Sequence, residues 1–206
     1  MRLAIALLLV ACGSHEAAAP PKPARPVGTC KPGQDSHKRF PVGAVPTHHV
    51  GRLIGEGSAC DVQFIANDVL QPSGGDLRVV AEGWFSATCN KLVIDDFEGV
   101  RAAKLAFETT STHVGLAPME LDAAHPEWTI GLAITPLDRC GNKLDSGLGW
   151  DAKWTWPKGC PAIKAAEPMG FEKPANAVHL APVAPGSCEL AVEAYGVRAT
   201  TTVMVK

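Results

Sequence analysis

Large apolar residues alternate with small or polar ones along several segments of this chain, and that period of two is typical of a β-strand with one buried face. The clearest alternation covers residues 128–135, and residues 188–194 repeat it. Tyr195 and Gly196 follow the second segment, and a β-branched stretch comes next at 200–205. The sequence therefore predicts a β-hairpin with a glycine-containing turn near the end of the chain.

The first half of the chain carries weaker signals of the same kind. Residues 61–66 and 77–81 are predicted strands. Residues 100–108 are rich in the helix formers Ala, Lys and Leu. We nevertheless assign them to a strand, because two segments of the chain resemble each other and suggest an internal repeat. Residues 89–102 and 188–199 each contain a cysteine, an apolar segment, an aromatic residue and then Gly-Val-Arg-Ala. The echo predicts two related modules.

The N-terminus has a short apolar run, residues 3–10, after the basic Arg2. The run is about half as long as the ~20 residues that span a bilayer as a helix, so it suits a signal peptide. Residues 9–12, Leu-Val-Ala-Cys, resemble the lipobox of bacterial lipoproteins. The resemblance implies that residues 1–11 are removed and that Cys12 carries acyl chains such as palmitate, which anchor the protein to a membrane of the bacterial cell envelope. The alternative is an ordinary signal peptide in which Cys12 has no role.

Residues 12–40 are predicted to form a disordered, lipidated tether. The segment is rich in proline and has few large apolar residues, so it cannot bury enough surface to offset the entropy lost on ordering. Its proline-rich part favours an extended polyproline II conformation, which would hold the folded part away from the membrane. Cys30 is the exception, because a disulfide there would dock the end of the tether onto the folded body.

The chain has seven cysteines, an odd number for an exported protein. Lipidation of Cys12 leaves six, which can form three disulfides in an oxidising compartment. These six are Cys30, Cys60, Cys89, Cys140, Cys160 and Cys188. With a module boundary near residue 112, three cysteines fall on each side. Because three cysteines cannot pair completely among themselves, we expect a disulfide that joins the halves or ties the tether to the second half.

Charge and motifs argue against nucleic-acid binding and catalysis. The formal net charge is −2, and it becomes −3 without residues 1–11, since 18 basic residues then remain against 21 acidic ones. The sequence has no basic face that would attract nucleic acid. The motifs H-E-x-x-H and G-x-S-x-G and a Walker loop are absent, and residues 55–60 end in cysteine where a G-x-G-x-x-G loop needs glycine. We therefore assign no catalytic residue and no cofactor.

Two groups of polar residues have side chains that can bind metal ions, but their positions in the sequence do not favour a metal site. His48 and His49 are adjacent, so on a strand they would point to opposite faces and would not share a metal ion. Asp95, Asp96 and Glu98 cluster at the predicted turn of a hairpin, where carboxylate oxygens can bind calcium, but a solvated turn is favoured. The sequence accordingly predicts no metal site.

Three tryptophans are the candidate ligand contacts. Trp150, Trp154 and Trp156 occupy even-numbered positions, so a single strand would place them on one face. Exposed aromatic side chains in a row can stack on sugar rings or anchor a protein partner. The alternative, which we favour for Trp154 or Trp156, is that the side chain packs between two sheets.

A longer pattern extends through the second half, residues 112–206. It consists of an Asp-containing turn, Gly-Asn, a Trp-bearing strand, Pro-Gly, a strand, a Gly turn and a closing Thr/Val strand. The positions that carry it are Asp138, Gly141 and Asn142, Trp154 and Trp156, Pro185 and Gly186, Gly196, and residues 203–205. With this pattern the second half resembles bacterial immunoglobulin-like domains of the invasin and intimin type. The cysteines and the three clustered tryptophans depart from the family pattern, and the first half matches it more weakly.

This resemblance implies a Greek-key β-sandwich and a role in adhesion, presentation or spacing at the cell envelope, without catalysis. It also implies that Cys60 and Cys89 occupy the inter-sheet disulfide positions of such a sandwich and pair with each other. That pairing leaves Cys30 to cross to the second half.

The sequence thus predicts an all-β protein with two immunoglobulin-like β-sandwiches in tandem. The predicted parts are a signal peptide at 1–11, the tether at 12–40, a short module at 41–111 and a full module at 112–206. The predicted function is that of a non-catalytic envelope lipoprotein in adhesion, assembly or envelope structure. Its predicted partners are the membrane, through the lipid, and an envelope protein or glycan. The alternative is a lipoprotein that binds a polysaccharide or cell-wall component through its tryptophans.

Overall fold

The computed structural model of the chain describes residues 31–46, 62–89, 92–109, 119–146, 152–155, 160–166 and 177–206. Within these ranges the regular structure consists of fourteen β-strands and one 3-10 helix, Ser36–Lys38. The predicted all-β class is therefore confirmed. No helix in the described part of the chain is long and apolar enough to cross a membrane.

The strands follow one another along the chain and are numbered in that order. They are β1 (Arg39–Pro41), β2 (Val62–Phe64), β3 (Leu70–Ser73), β4 (Asp76–Val79), β5 (Gly83–Cys89), β6 (Leu92–Val100), β7 (Lys104–Thr109), β8 (Glu120–Leu121), β9 (Ile130–Leu137), β10 (Lys153–Thr155), β11 (Ile163–Ala165), β12 (Ala177–Pro182), β13 (Gly186–Ala194) and β14 (Val197–Val205).

Two four-stranded sheets form a sandwich in the second half. One sheet has the order β10-β13-β14-β8, and β8 runs parallel to β14. The other has the order β11-β12-β9-β7, with all neighbours antiparallel. The second order is that of strands D, E, B and A of an immunoglobulin domain, and β10, β13 and β14 correspond to C, F and G. The strand order itself therefore confirms the immunoglobulin-like fold of this half.

The alternation of apolar residues correctly located the strands of this sandwich. Leu190 and Val192 of β13, together with Val203 of β14, are buried in its core. The predicted strand at residues 128–135 is β9, but it begins at Ile130. The residues before it form turns, in which the N–H of Trp128 donates to the carbonyl oxygen of His125 and the two rings stack with centroids 3.9 Å apart. β9 is buried along most of its length, since it lies between β7 and β12.

The first half builds a smaller sandwich. Its four-stranded sheet has the order β1-β6-β5-β2, with β1 parallel to β6, and the hairpin β3-β4 supplies a second sheet. The order matches β8-β14-β13-β10 of the second sandwich strand for strand. Phe40, Phe85 and Phe97 fill the core with Leu70 and Val79, and the rings of Phe85 and Phe97 are stacked with centroids 5.7 Å apart. The described strands thus form two related modules in tandem.

The two similar segments that suggested this repeat, residues 89–102 and 188–199, do not occupy equivalent positions in the two modules. Cys89 ends β5, whereas Cys188 lies near the start of β13. Gly196 lies in the turn between β13 and β14 with a φ of 73°, whereas Gly99 lies inside β6. A Cβ atom at Gly99 would lie 2.5 Å from the carbonyl oxygen of Ala81, so glycine is required there for close packing. The modules are related by strand order and not by the Gly-Val-Arg-Ala motif.

The folded part begins earlier in the chain than the sequence predicted. The tether was predicted to reach residue 40, but Arg39 and Phe40 are buried in β1, and the folded part includes residues from Lys31 onward. The predicted end of the tether was therefore too far along the chain, because the hydrophobic Phe40 was counted with the prolines before it. The strand predicted at residues 100–108 is confirmed from Lys104 onward as β7, which pairs with β9 of the second sandwich, whereas residues 101–103 connect β6 to β7. The division at residue 112 remains a prediction.

Candidate functional site at the junction between the modules

The side chain of Arg39 connects the two modules. Its Nε donates a hydrogen bond to Glu98 Oε2 at 2.9 Å, and its Nη1 donates one to Asp138 Oδ2 at 2.6 Å. Arg39 and Glu98 lie on β1 and β6 of the first sandwich, and Asp138 directly follows β9 of the second. The three side chains are 6%, 9% and 1% exposed, so the ion pairs are shielded from solvent.

Asp138 accepts more hydrogen bonds than the one from Arg39. Its Oδ1 accepts from the backbone N–H groups of Cys140 and Asn142, and its Oδ2 accepts from Asn142 Nδ2. Burial alone would raise the pKa of Asp138, but the hydrogen bonds from Arg39, Asn142 and Cys140 outweigh it and lower that pKa. Burial would likewise lower the pKa of Arg39, but its two carboxylate partners raise it. Arg39 and Asp138 are therefore both charged in the folded protein, as a buried ion pair requires.

Asn142 extends this network to the N-terminal segment. Its Nδ2 donates to the carbonyl oxygen of Lys31 at 2.9 Å, and its Oδ1 accepts from the N–H of Gly33 at 2.8 Å. Asn142 is buried, and both of these hydrogen bonds are partly buried. The sequence resemblance marked Asn142 only as a turn residue. In the structure it holds the chain that follows Cys30 against the second module.

Tyr195, the only tyrosine of the chain, forms a second contact between the modules. It lies in the turn between β13 and β14, where its φ is 53°, and its side chain packs against the hydrophobic core of the first module. Its hydroxyl donates to the carbonyl oxygen of Ser146 at 2.9 Å. Burial raises the pKa of Tyr195 and Asp145 raises it further, while Arg78 opposes the shift. The phenol therefore stays neutral and keeps its hydrogen bond.

Backbone contacts reinforce the two side-chain contacts. The N–H of Asp145 donates to the carbonyl oxygen of Arg39 at 2.8 Å, which joins β1 to the segment after β9. Within the first module, Arg78 Nη1 donates to the carbonyl oxygen of Gly43. A Cβ atom at Gly43 would lie 3.4 Å from Cδ1 of Tyr195, so the ring sits directly on this backbone. The modules are thus held at two separate places, around Arg39 and around Tyr195.

One disulfide lies wholly within the described residues. Cys160 and Cys188 are bonded and connect the segment before β11 in one sheet to β13 in the other. Cys89 and Cys140 are also disulfide-bonded. Cys12, Cys30 and Cys60 lie outside the described residues. The lipidation, the Cys60–Cys89 pair and the crossing of Cys30 therefore remain predictions.

Of the three candidate tryptophans, only Trp154 lies within the described residues. Trp154 lies on β10, is half-buried, and packs between the sheets with its ring centroid 6.3 Å from that of Phe107. This placement corresponds to the core alternative for Trp154. Trp150 and Trp156 lie outside the described residues, so a ligand contact there remains a prediction. His48 and His49 also lie outside them.

The acidic cluster is located differently from the prediction. Asp95, Asp96 and Glu98 lie within β6 and not at a turn. Asp95 pairs with Lys38 at 2.7 Å, and Asp96 accepts a hydrogen bond from the Ser86 hydroxyl. In the described part of the chain, no group of three or more His, Cys, Asp or Glu side chains could hold a metal ion. The prediction placed a turn here because the Gly-Val-Arg-Ala echo aligned residues 89–102 with the hairpin that begins at residue 188.

Comparisons with known proteins add only distant structural likenesses. No protein-family model matches the chain, and no curated protein matches it. Among solved structures, domains 4 and 5 of the S-layer protein SbsC are 14% identical, with 74% of this chain and 79% of that chain covered and a TM-score of 0.31. The Yersinia pseudotuberculosis adhesin InvE is 9% identical, with 82% and 56% covered and a TM-score of 0.35. Invasin, a bacterial integrin-binding protein, is 10% identical, with 71% and 32% covered and a TM-score of 0.31. Likenesses this distant carry no argument, so the assignment to tandem immunoglobulin-like modules rests on the strand order.

Proposed function

We propose that this protein is a lipid-anchored component of the bacterial cell envelope. Its two immunoglobulin-like modules act as one rigid, non-catalytic unit in adhesion, assembly or envelope architecture. The observation that carries the proposal is the buried contact of Arg39 with Glu98 and Asp138 across the junction.

The junction favours a fixed arrangement of the modules. Domains of one chain usually move relative to each other unless their interface is large and well packed. Separation of the modules would break the charge-assisted hydrogen bond between Arg39 and Asp138, which is shielded from solvent in the junction. Tyr195 would at the same time be withdrawn from the core of the first module. A protein that spaces or presents something at a surface needs such a constant geometry.

The anchoring part of the proposal rests on the sequence. The segment Leu-Val-Ala-Cys at 9–12 supports a lipid on Cys12, and the proline-rich segment after it supports a spacer between the membrane and the modules. The proposed partners are the membrane and an envelope protein or glycan.

Assays of adhesion and of envelope integrity in bacteria that produce this protein test the proposal. We expect cells with the wild type to differ from cells without it in attachment to one another or in resistance to detergent. The Cys12→Ser variant should abolish the difference, because the protein is released from the membrane. The Asp138→Asn variant should reduce it, because the modules lose their fixed arrangement. If the wild type changes neither property, the proposal is wrong. If its effect instead requires binding of cell-wall material that Trp150→Ala abolishes, the polysaccharide-binding alternative replaces it.

A further inference from the structure

The outer face of the sheet β11-β12-β9-β7 in the second module carries exposed lysines. Leu105 and Ile163 are buried in the hydrophobic core, so their neighbours Lys104 and Lys164 point outward from β7 and β11. Glu108 is the only acidic residue on these four strands, and its carboxylate is paired with Lys143 at 2.7 Å. Neither Lys104 nor Lys164 belongs to an ion pair of the described residues. This basic face therefore has an excess of positive charge.

The opposite sheet of the module, β10-β13-β14-β8, has the reverse balance. The outward side chains on its strands include the carboxylates of Glu120, Glu189 and Glu193 against the cations Lys153 and Arg198. The chain as a whole is also negative, with a formal net charge of −2. Within the second module, positive charge is thus concentrated on one side.

The N-terminal segment enters the folded part beside the basic face. Leu137 of β9 pairs with Lys104 on one edge and forms a bridge with Lys143 on the other, so the two lysines lie in one row. Asn142 directly precedes Lys143 and donates to the carbonyl oxygen of Lys31 at 2.9 Å. The side chain of Lys31 is exposed and belongs to no ion pair of the described residues. The chain therefore arrives at the junction between the modules and not at one end of the tandem.

The lysines of the basic face are far apart along the strands. Lys104 lies opposite Leu137, the last residue of β9. Lys164 lies level with the start of β9, in the register that β12 sets between β11 and β9. The two lysines are therefore separated by about 23 Å along the strand direction. Charges at both ends of a face suit contact with an extended, flat surface.

We propose that this basic face of the second module lies against a membrane surface that contains anionic phospholipids. The inference rests on the proposed lipid anchor at Cys12. Residues 13–30 separate Cys12 from Lys31 and reach at most about 55 Å as polyproline II. The tether sets only the greatest distance from the membrane, and within that distance it keeps the basic face at a high effective concentration beside the headgroups.

A few lysines suffice under these conditions. Basic side chains near an anionic leaflet are attracted to it, and such a patch strengthens the anchoring that acyl chains provide. With the basic face toward the lipid, the second module lies on its side. Glu189 and Glu193 on the opposite sheet then face away from the like charge of the membrane.

An acidic protein or polymer is the competing partner, because the same lysines would attract it. The point at which the chain enters favours the membrane. An anchored Cys12 brings Lys31, and with it the row of Lys104 and Lys143, to the headgroups without any further partner.

Sedimentation of the Cys12→Ser protein with vesicles tests the basic face independently of lipidation. The vesicles contain phosphatidylglycerol, or phosphatidylcholine alone as the reference. At low salt we expect binding to millimolar phosphatidylglycerol and not to phosphatidylcholine, although the chain has a net negative charge. Lys104→Gln should weaken this binding about fivefold. The matched control is Lys153→Gln, which removes an exposed lysine from the opposite sheet and should leave the binding unchanged.

Acylation of amines gives a second readout, which does not depend on the affinity. The wild-type protein is anchored in vesicles of either composition and treated with an amine-reactive reagent, and peptide mass spectrometry measures each lysine. Lys104 and Lys164 should react more slowly on phosphatidylglycerol than on phosphatidylcholine. Lys153 should react equally on both.

Four outcomes would overturn the proposal. Equal losses of binding in Lys104→Gln and Lys153→Gln would mean that the vesicles sense only the overall charge. Equal binding to both lipids, or no binding to millimolar phosphatidylglycerol, would show that the face does not recognise anionic headgroups. Tighter binding of polyaspartate than of phosphatidylglycerol would assign the face to an acidic polymer. A protein that binds phosphatidylglycerol but is not lipidated at Cys12 would support the basic face and refute only the anchor.

Discussion

Arg39 and Asp138 are 99 positions apart in the chain, yet Nη1 of one donates to Oδ2 of the other at 2.6 Å inside the junction. The contact joins the first strand of one module to the end of β9 in the other. Because Asp138 also accepts from Asn142, and Asn142 holds Lys31 and Gly33, one buried network orders both modules and the chain that enters them.

Replacement of Asp138 by asparagine should destabilise the protein by about 3 kcal/mol. The substitution keeps the size of the side chain but leaves the charge of the buried Arg39 with one carboxylate only, and loss of one partner of a buried ion pair is strongly destabilising. Urea unfolding measures the change.

The control is Glu108→Gln, which breaks the exposed ion pair with Lys143 and should cost less than about 1 kcal/mol. Similar losses in the two variants would contradict the role assigned to the junction.

The stability of the protein should fall in acid because of Asp138. The pKa of this group is lowered in the folded protein, so its contribution is complete above the unfolded value of about 3.9. That contribution is lost as the pH falls through the lower, folded pKa. We therefore expect the difference in unfolding free energy between the wild type and Asp138→Asn to be constant from about pH 6 upward and to shrink below about pH 4. A difference that stays the same down to pH 2 would refute the lowered pKa.

Tyr195 should not ionise in the folded protein at the pH where an exposed tyrosine does. Burial raises its pKa, and folding therefore loses stability only when the pH exceeds the unfolded value of about 10. Absorbance near 295 nm reports phenolate, and the chain has a single tyrosine to observe. We expect no increase up to about pH 10.5 in the native protein and a normal titration in urea. Normal titration without urea would mean that Tyr195 is not inserted between the modules.

A disulfide map should find Cys160 bonded to Cys188 and Cys30 bonded to Cys140. The first bond leaves Cys140 as the remaining cysteine of the second half. Asn142, two positions after Cys140, is hydrogen-bonded to Lys31 and Gly33, so we expect Cys30 to be the partner of Cys140. Mass spectrometry of non-reduced peptides gives the pairs. A peptide that links Cys30 to Cys60 or Cys89 would disprove the second pair.

Cys12 should be lipidated in a bacterial host. Metabolic labelling with a fatty-acid probe should mark the wild type in the membrane fraction, because residues 9–12 match the lipobox pattern. The Cys12→Ser variant should be unlabelled and recovered in the soluble fraction. If both proteins label equally, the N-terminus is not a lipoprotein signal.

The sequence by itself determined the strands of the second module and the class of the fold. Residues 188–194 and 200–205 alternate because each side chain of a strand points to the face opposite its neighbours, so the pattern is local. The turn at Tyr195 and Gly196 was equally local, since both residues adopt a positive φ there.

The tertiary structure alone decided which polar residues are buried. Nothing near Arg39 in the sequence distinguishes it from an exposed arginine, and Asp138 and Asn142 look like ordinary turn residues. Their burial depends on partners about a hundred positions away, which are brought together only when both modules fold. The same reason explains the two errors around β6 and β1. Gly99 and Phe40 are buried by contacts with residues that are distant in the sequence. Such contacts produce no periodic pattern of apolar residues along the chain.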